Sequence, residues 1–217
     1  MVLLSMVNSS CVSRVGSTEG IAPKVPIKVT SYSLHDVRLL DGPFKNAMNL
    51  NGKYLLELEP DRLLHNFRKF AGLKPKGKIY GGWEKDSIAG HTLGHYLSAC
   101  AMQYASTGSK AHLERVQYVL AELRECQEAG GDGFVFAFPR GREIFAELAA
   151  GDIRAKAFNL NGCWVPLYNL HKTFAGLHDA YTLCKTDLAL TISADLGDFL
   201  IGVFEQLSKK QMQEMKQ

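Results

Sequence analysis

The sequence predicts an all-α fold of successive helical hairpins separated by long loops. Three observations carry that expectation. Apolar residues recur at three- and four-residue spacing through most of the chain, which is the pattern of amphipathic helices. Turn and stop signals such as Asp41-Gly42-Pro43, Thr107-Gly108 and Gly130-Gly131 fall between those stretches. No repeat of fixed period stands out, which favours a helical toroid or bundle over a solenoid.

Residues 1–30 differ in character from the rest of the chain. MVLLSMV is a short apolar opening with no Lys or Arg before it and no small-x-small cleavage site after it. It reads as either a leader or a disordered tail, with a lean toward export, and localisation is otherwise open. Residues 31–217 read as the folded domain. KVTSYSLHDVRLL is expected to form a strand-like arm, and Pro43 then opens a helix. Phe44, Ala47, Leu50, Tyr54 and Leu55 carry that helix to about Leu58, and Pro60 stops it. Asp61 can cap a short second helix, RLLHNFRKF, and GLKPKGKIYGG is a loop.

The next helix comes after Trp83 and Glu84 and ends at Thr107-Gly108. Ser109 can cap its partner, in which Leu113, Val116, Leu120 and Leu123 form a stripe. So short a turn makes the two antiparallel neighbours. Residues 130–163 read as irregular, with a short helix around Glu143–Ala149 and with DGFVFAFPRG as a brief strand or an aromatic loop. A further helix runs from Trp164 to Leu183. One stripe on it holds Leu167, Leu170, Phe174, Leu177 and Tyr181; the neighbouring stripe holds Trp164, Tyr168, His171, Ala175 and His178. Thr186 or Asp187 caps the last helix, along which Ile192, Leu196, Phe199, Val203 and Leu207 repeat the pattern.

Composition narrows the function. Hydrophobic residues make up 46% of the 217, enough for a true core, and 22% charged argues against wholesale disorder. The net charge of +3 is scattered, so a nucleic-acid partner, which needs a clustered basic face, is not expected. No apolar run approaches a membrane span of about 20 residues, so a membrane is not expected either. The five cysteines, Cys11, Cys100, Cys126, Cys163 and Cys184, lack any C-x-x-C pair and read as small buried hydrophobes.

The stretch from Tyr80 to Gly108 holds the sharpest candidates. His91 and His95 lie four residues apart, one helical turn, while Leu93, Leu97, Cys100 and Tyr104 form a separate apolar stripe. Two imidazoles on one face suit zinc, but the glutamate of H-E-x-x-H is absent, so no metal site is assigned. A pocket-facing role, hydrogen bonding a polar ligand, is the preferred reading, and His171 leans the same way. Trp83 beside Glu84 suggests sugar handling: an aromatic face carries the apolar side of a sugar ring while a carboxylate accepts its hydroxyls. The bland alternative places Trp83 as a core plug and Glu84 as a negative charge at a helix N-terminus. The acids are too dispersed for the sequence to pair two of them for glycosidase chemistry.

Several blocks occur in order: DVRLLDGPF, PDRLLHNFRKFAGL, YGGWE, GHTLGHYLSA, FAFP and WVPLYNLHKTFAGLHDAY. With these the chain resembles the β-L-arabinofuranosidase group of glycoside hydrolases, families 127 and 146, over roughly residues 32–217. The resemblance implies the N-terminal half of an (α/α)6 toroid whose inner helices line a sugar pocket. It implies that His91, His95 and His171 point into that pocket, with Trp83, Glu84 and Trp164 near its rim, and that the substrate is an arabinoside of plant-type glycans.

The family is thought to use a zinc-bound cysteine thiolate as nucleophile and a glutamate as acid/base, because zinc holds a thiol ionised. Those catalytic residues and zinc ligands lie further along the family's chain. No catalytic role and no cofactor are therefore carried onto residues here, and His178 stands where relatives have an apolar residue. The expectation is an N-terminal fragment, inactive by itself, from a truncated or split reading frame. Its open inner faces would suit a chain bearing the C-terminal half, or a homodimer. Two other classes stand beside it: a non-catalytic carbohydrate-binding helical module, and a helical interaction protein.

Overall fold

The computed structural model describes Val25, residues 29–85 and residues 88–215. The chain divides into two units, Met1–Tyr32 and Ser33–Gln217. Of the first, only Val25 and residues 29–32 are described, and they are exposed. The leader or tail read over residues 1–30, Cys11 included, otherwise lies outside the described residues. The helices and the candidate residues all belong to the second unit.

The expected strand-like arm does not form. Residues 34–36 make a turn closed by Asp36 N–H to the Ser33 carbonyl at 2.9 Å. His35 then anchors the segment, its Nε2 lying 2.9 Å from the Leu183 carbonyl and its ring edge-on to Tyr104. Helix α1 is Pro43–Glu57, entered through proline and ended before Pro60 as the sequence predicts. The single helix expected next is two, α2 (Pro60–Leu63) and α3 (His65–Phe70). The break is at Leu64, where ψ opens to −9° and the side chain, like that of Phe67, turns into the core.

Helices α4 (His91–Thr107) and α5 (Lys110–Gly130) form the expected hairpin around Gly108. Ser109 does not cap α5 with its side chain; its hydroxyl instead meets His112 Nδ1 at 2.8 Å. After α6 (Gly141–Ala149) come three two-residue strands that the sequence did not suggest. These are β1 (Ala155–Lys156), β2 (Asn159–Leu160) and β3 (Cys163–Trp164), an antiparallel sheet in the order β1-β2-β3 with Ala155 opposite Leu160 and Asn159 opposite Trp164. Helix α7 (Pro166–Cys184) starts two residues later than expected, at its proline. Helix α8 (Asp187–Phe204) and a further short helix α9 (Lys209–Glu214), opened by a Ser208–Gln211 capping box, follow. Leu207 lies beyond α8, so it ends rather than extends that stripe.

Among the described residues the fold is helical hairpins with almost no sheet. The widest helix contact is between α4 and α7. His91 meets Tyr168 near the two starts, and Gly94 meets Lys172 and Thr173 a turn later, so the two helices run in the same sense. Helices α1 and α5 run opposite to α4: Tyr96 bonds the Leu55 carbonyl at 3.0 Å, and Gln103 bonds the Met48 carbonyl at 3.3 Å. Parallel inner helices alternating with reversed outer ones give the connectivity of an α/α toroid.

The core is continuous. Leu93, Leu97 and Cys100 of α4 are buried as expected, joined by Val116, Leu120 and Leu123 of α5, Leu170 and Leu177 of α7, and Ile192 and Leu196 of α8. The Phe134–Phe138 stretch is an aromatic loop rather than a strand. Phe134 stacks on Phe136 at 4.4 Å and on Phe199 of α8 at 4.2 Å. Arg68, Glu122, Glu125 and Lys76 form an ion cluster, with Arg68 Nη1 2.7 Å from both glutamates, that pins the 71–80 loop to α5.

Candidate functional site

Both α4 and α7 begin at the same end of the molecule, and the candidate residues collect there. Gly90 precedes α4 with φ of 105°, a conformation side chains disfavour, and a Cβ there would lie 2.8 Å from the Ala137 methyl. Its amide donates to Glu84 Oε2 at 3.2 Å, so the carboxylate satisfies an N–H that the helix start leaves unpaired. Glu84 sits on a 3-10 turn, Gly82–Lys85, is only 7% exposed, and receives Asn66 Nδ2 on its own carbonyl at 3.3 Å. Among the described residues its second oxygen, Oε1, is buried without a hydrogen-bond partner. The His91 Nδ1 nearby stands 3.8 Å away, too far for one.

His91 is buried, and its Nδ1 lies 2.8 Å from the Ile88 carbonyl. A carbonyl only accepts, so Nδ1 carries the hydrogen, and Nε2 is left with a lone pair, 3.5 Å from the Thr92 hydroxyl. His95, one turn on, is exposed and perpendicular to His91 at 6.1 Å between centroids. Partial burial, then the charge of Lys172, then His91 and His171 hold its pKa below the ordinary histidine value. His171 is exposed on α7 and close enough to take part in that effect.

The aromatic rim is made by both tryptophans of the chain. Trp83 is 59% exposed and Trp164 37% exposed, and they meet edge to face at 6.2 Å. Trp83 also leans over His91, with centroids 5.9 Å apart. Trp164 is not on α7, as its stripe suggested. It ends β3, and Val165 turns the chain into the helix with φ of 46°. That conformation is costly for a β-branched residue and fixes the direction in which Trp164 is presented.

Two members were not singled out as site residues from sequence. Tyr168 lies 6.1 Å from His91, and Lys172 places its ammonium 5.0 Å over the Tyr168 ring. The signal was present, because Tyr168 and Lys172 are one turn apart beside His171. His178 is not brought in; it is exposed and faces Asp179 at 3.6 Å. Trp83, Glu84, His91, His95, Trp164 and His171 are thus brought to one corner. Leu167 and Tyr181, expected on the buried stripe of α7, are 37% exposed.

The corner offers ring faces, imidazole nitrogens and one buried carboxylate. Among the described residues no group of three His, Cys, Asp or Glu side chains converges to hold a metal. The zinc that the resemblance implies has no ligand set here, and no step through zinc follows from these residues. Burial raises the Cys100 and Cys184 thiols to about 11 and the Cys126 thiol to about 12, the reverse of what a thiolate nucleophile requires.

A family model described as the β-L-arabinofuranosidase, GH127 catalytic domain matches residues 36–217. The chain belongs to the GH127 family. That places the α4–α7 corner within a glycoside hydrolase catalytic domain and makes a glycan its class of substrate. The helical hairpins agree with the helical barrel of GH127 proteins. No curated protein matches the chain. No helix among the described residues of this GH127 chain is long and apolar enough to cross a membrane.

Proposed function

We propose that the corner where α4 and α7 begin binds the terminal sugar of an arabinoside, as the recognition part of a GH127 β-L-arabinofuranosidase. One observation carries the reading. Two exposed tryptophans meet edge to face at 6.2 Å, and one of them, Trp83, leans over His91, whose Nε2 lone pair supplies an acceptor for a hydroxyl group. Ring faces with a few fixed acceptors are what a sugar needs, since its carbon face is apolar and its edge donates hydrogen bonds. The reading gives these residues binding and orientation, not bond cleavage. The carboxylate that the corner sets beside the imidazoles is that of Glu84, which already holds the Gly90 amide.

Because both tryptophans lie at the corner, emission excited selectively from tryptophan reports this site. Titration with methyl β-L-arabinofuranoside should change the emission in a saturable way, and His171→Ala or Trp164→Ala should weaken binding about ten-fold or more. A flat titration with folded protein would overturn the reading.

A second reading rests on α1. Phe44, Leu50 and Tyr54 share one side of that helix and are 78%, 55% and 58% exposed. An apolar stripe of this kind suits association with a second copy or with a chain carrying further hairpins of the toroid. Sedimentation tests it: a single monomeric species at all concentrations, with no partner taken up, removes it.

A further inference from the structure

Lys172 differs from the other withdrawn basic residues. The other Lys and Arg side chains that are buried or half-buried among the described residues are Arg62, Arg68, Arg115, Arg124 and Arg142. Each has an oxygen to bond: Arg62 the Lys78 carbonyl, Arg115 the Leu56 carbonyl, and Arg68, Arg124 and Arg142 a carboxylate. Lys172 is half-buried as well, yet among the described residues no oxygen accepts from its ammonium. What it has is a ring. The ammonium lies 5.0 Å over Tyr168, itself 6.1 Å from His91. A ring face attracts the charge but leaves the N–H donors without an acceptor oxygen. Glu84, the carboxylate of the corner, is buried and already holds the Gly90 amide.

From this unpaired charge we infer that the glycan read at the corner is acidic, and that Lys172 pairs with the carboxylate of a uronic acid unit next to the arabinose. The inference rests on the proposed sugar site and adds the chemical class of the neighbouring unit. Three physical points carry it. A half-withdrawn ammonium has lost part of its water, and an anionic oxygen replaces that water better than a neutral hydroxyl does. The corner also holds one fixed positive charge rather than several. Partial burial, then the Lys172 charge, then His91 and His171 keep His95 toward its neutral form, so a single carboxylate balances the site. Lastly, lysine meets an anion as a point charge on a flexible stem, which suits a carboxylate carried on the next sugar rather than one fixed in the protein.

The test compares two ligands on the full chain. One is a disaccharide of β-L-arabinofuranose linked to galacturonate, and the other is its carboxyl methyl ester, so the two differ in charge at one group. Tryptophan-selective emission reads the binding of both. The acid should bind about ten-fold tighter than the ester, as a charge-assisted hydrogen bond allows, and added salt should shrink the gap. Lys172→Met should bring the two affinities within about two-fold of each other, while Lys172→Arg, which keeps the charge, should hold most of the gap. Circular dichroism of both variants shows that they are folded.

Equal affinities for acid and ester in the unaltered chain would overturn the acidic unit and leave the sugar site standing. A gap that Lys172→Met does not narrow would overturn the assignment to Lys172. If methyl β-L-arabinofuranoside binds and neither disaccharide does, the next unit has no place beside Lys172 and the inference fails. If none of the three binds, the sugar site is wrong and the inference falls with it.

Discussion

Gly94 and Gly176 face each other where α4 crosses α7. A Cβ placed on Gly176 would stand 2.6 Å from the Gly94 carbonyl oxygen and 3.1 Å from Leu97 Cβ. One placed on Gly94 would run into the Lys172 carbonyl. The crossing is therefore a backbone-to-backbone contact, and it sets the spacing between the imidazoles of α4 and the side chains of α7.

Gly176→Ala should lower stability by about 1–3 kcal/mol, the usual range for overpacking a tight contact. Denaturant unfolding measures it. Gly197→Ala on α8, where a Cβ would meet nothing within 4 Å, is the control and should be neutral or stabilising. Equal losses from both would show that the crossing is not tight.

Glu84 tests how the start of α4 is held. Glu84→Ala leaves the buried Gly90 amide without an acceptor and should cost about 1–3 kcal/mol. Glu84→Gln keeps an oxygen for that amide and should recover most of the loss. Thermal unfolding of the two variants separates the hydrogen bond from the charge; equal destabilisation would assign the effect to the charge.

His95 should give the corner a pH response. Its folded pKa lies below the ordinary value, so the unfolded chain takes up the proton first. Its contribution is present above the unfolded pKa of about 6.5 and is lost as pH falls through the folded value. Lys172→Met should move the His95 midpoint upward in an NMR titration, because a repelling positive charge is removed while burial remains. An unmoved midpoint would leave burial and the two histidines as the whole cause.

The thiols should be silent in the native state. With Cys100 raised to about 11 and Cys126 to about 12 by burial, a short alkylation pulse at pH 8 followed by peptide mapping should leave both unlabelled. Both should label fully once denaturant is added. Native labelling of Cys100 would show that α4 opens away from its neighbours.

Much of this was legible in the residues. The hairpin α4–α5 follows from apolar spacing and from Gly108, and the pairing of His91 with His95 follows from one-turn spacing, whereas His171 beside them was implied by the family resemblance. What the residues hid was set by the fold around them. Trp164 shares the period of α7, yet Pro166 starts the helix after it, and Val165 in a left-handed turn decides where the indole goes. Leu64 belongs to an unbroken helical pattern but is drawn into the core, which splits α2 from α3. Glu84 was open between a sugar-binding carboxylate and a negative charge at a helix N-terminus. Only the fold around the start of α4 shows that its carboxylate is buried and holds the Gly90 amide. Ser109 and Thr186 are good capping residues by type, but neither side chain caps its helix. Sequence period places a residue on a face; tertiary packing decides what that face meets.

The parallel pairing of α4 with α7 has a consequence for how the chain is made. His91 and Tyr168 touch rings at 6.1 Å but lie 77 positions apart in the chain. At about 5–20 residues per second, α4 leaves the ribosome roughly 4–15 s before its partner. Its hairpin with α5 is local and forms at once, so one side of α4 is covered early. The side that carries Gly94 must wait for α7. The corner is thus assembled only once α7 is made, and a nascent chain spends those seconds with its imidazoles in place and their counterpart still unmade.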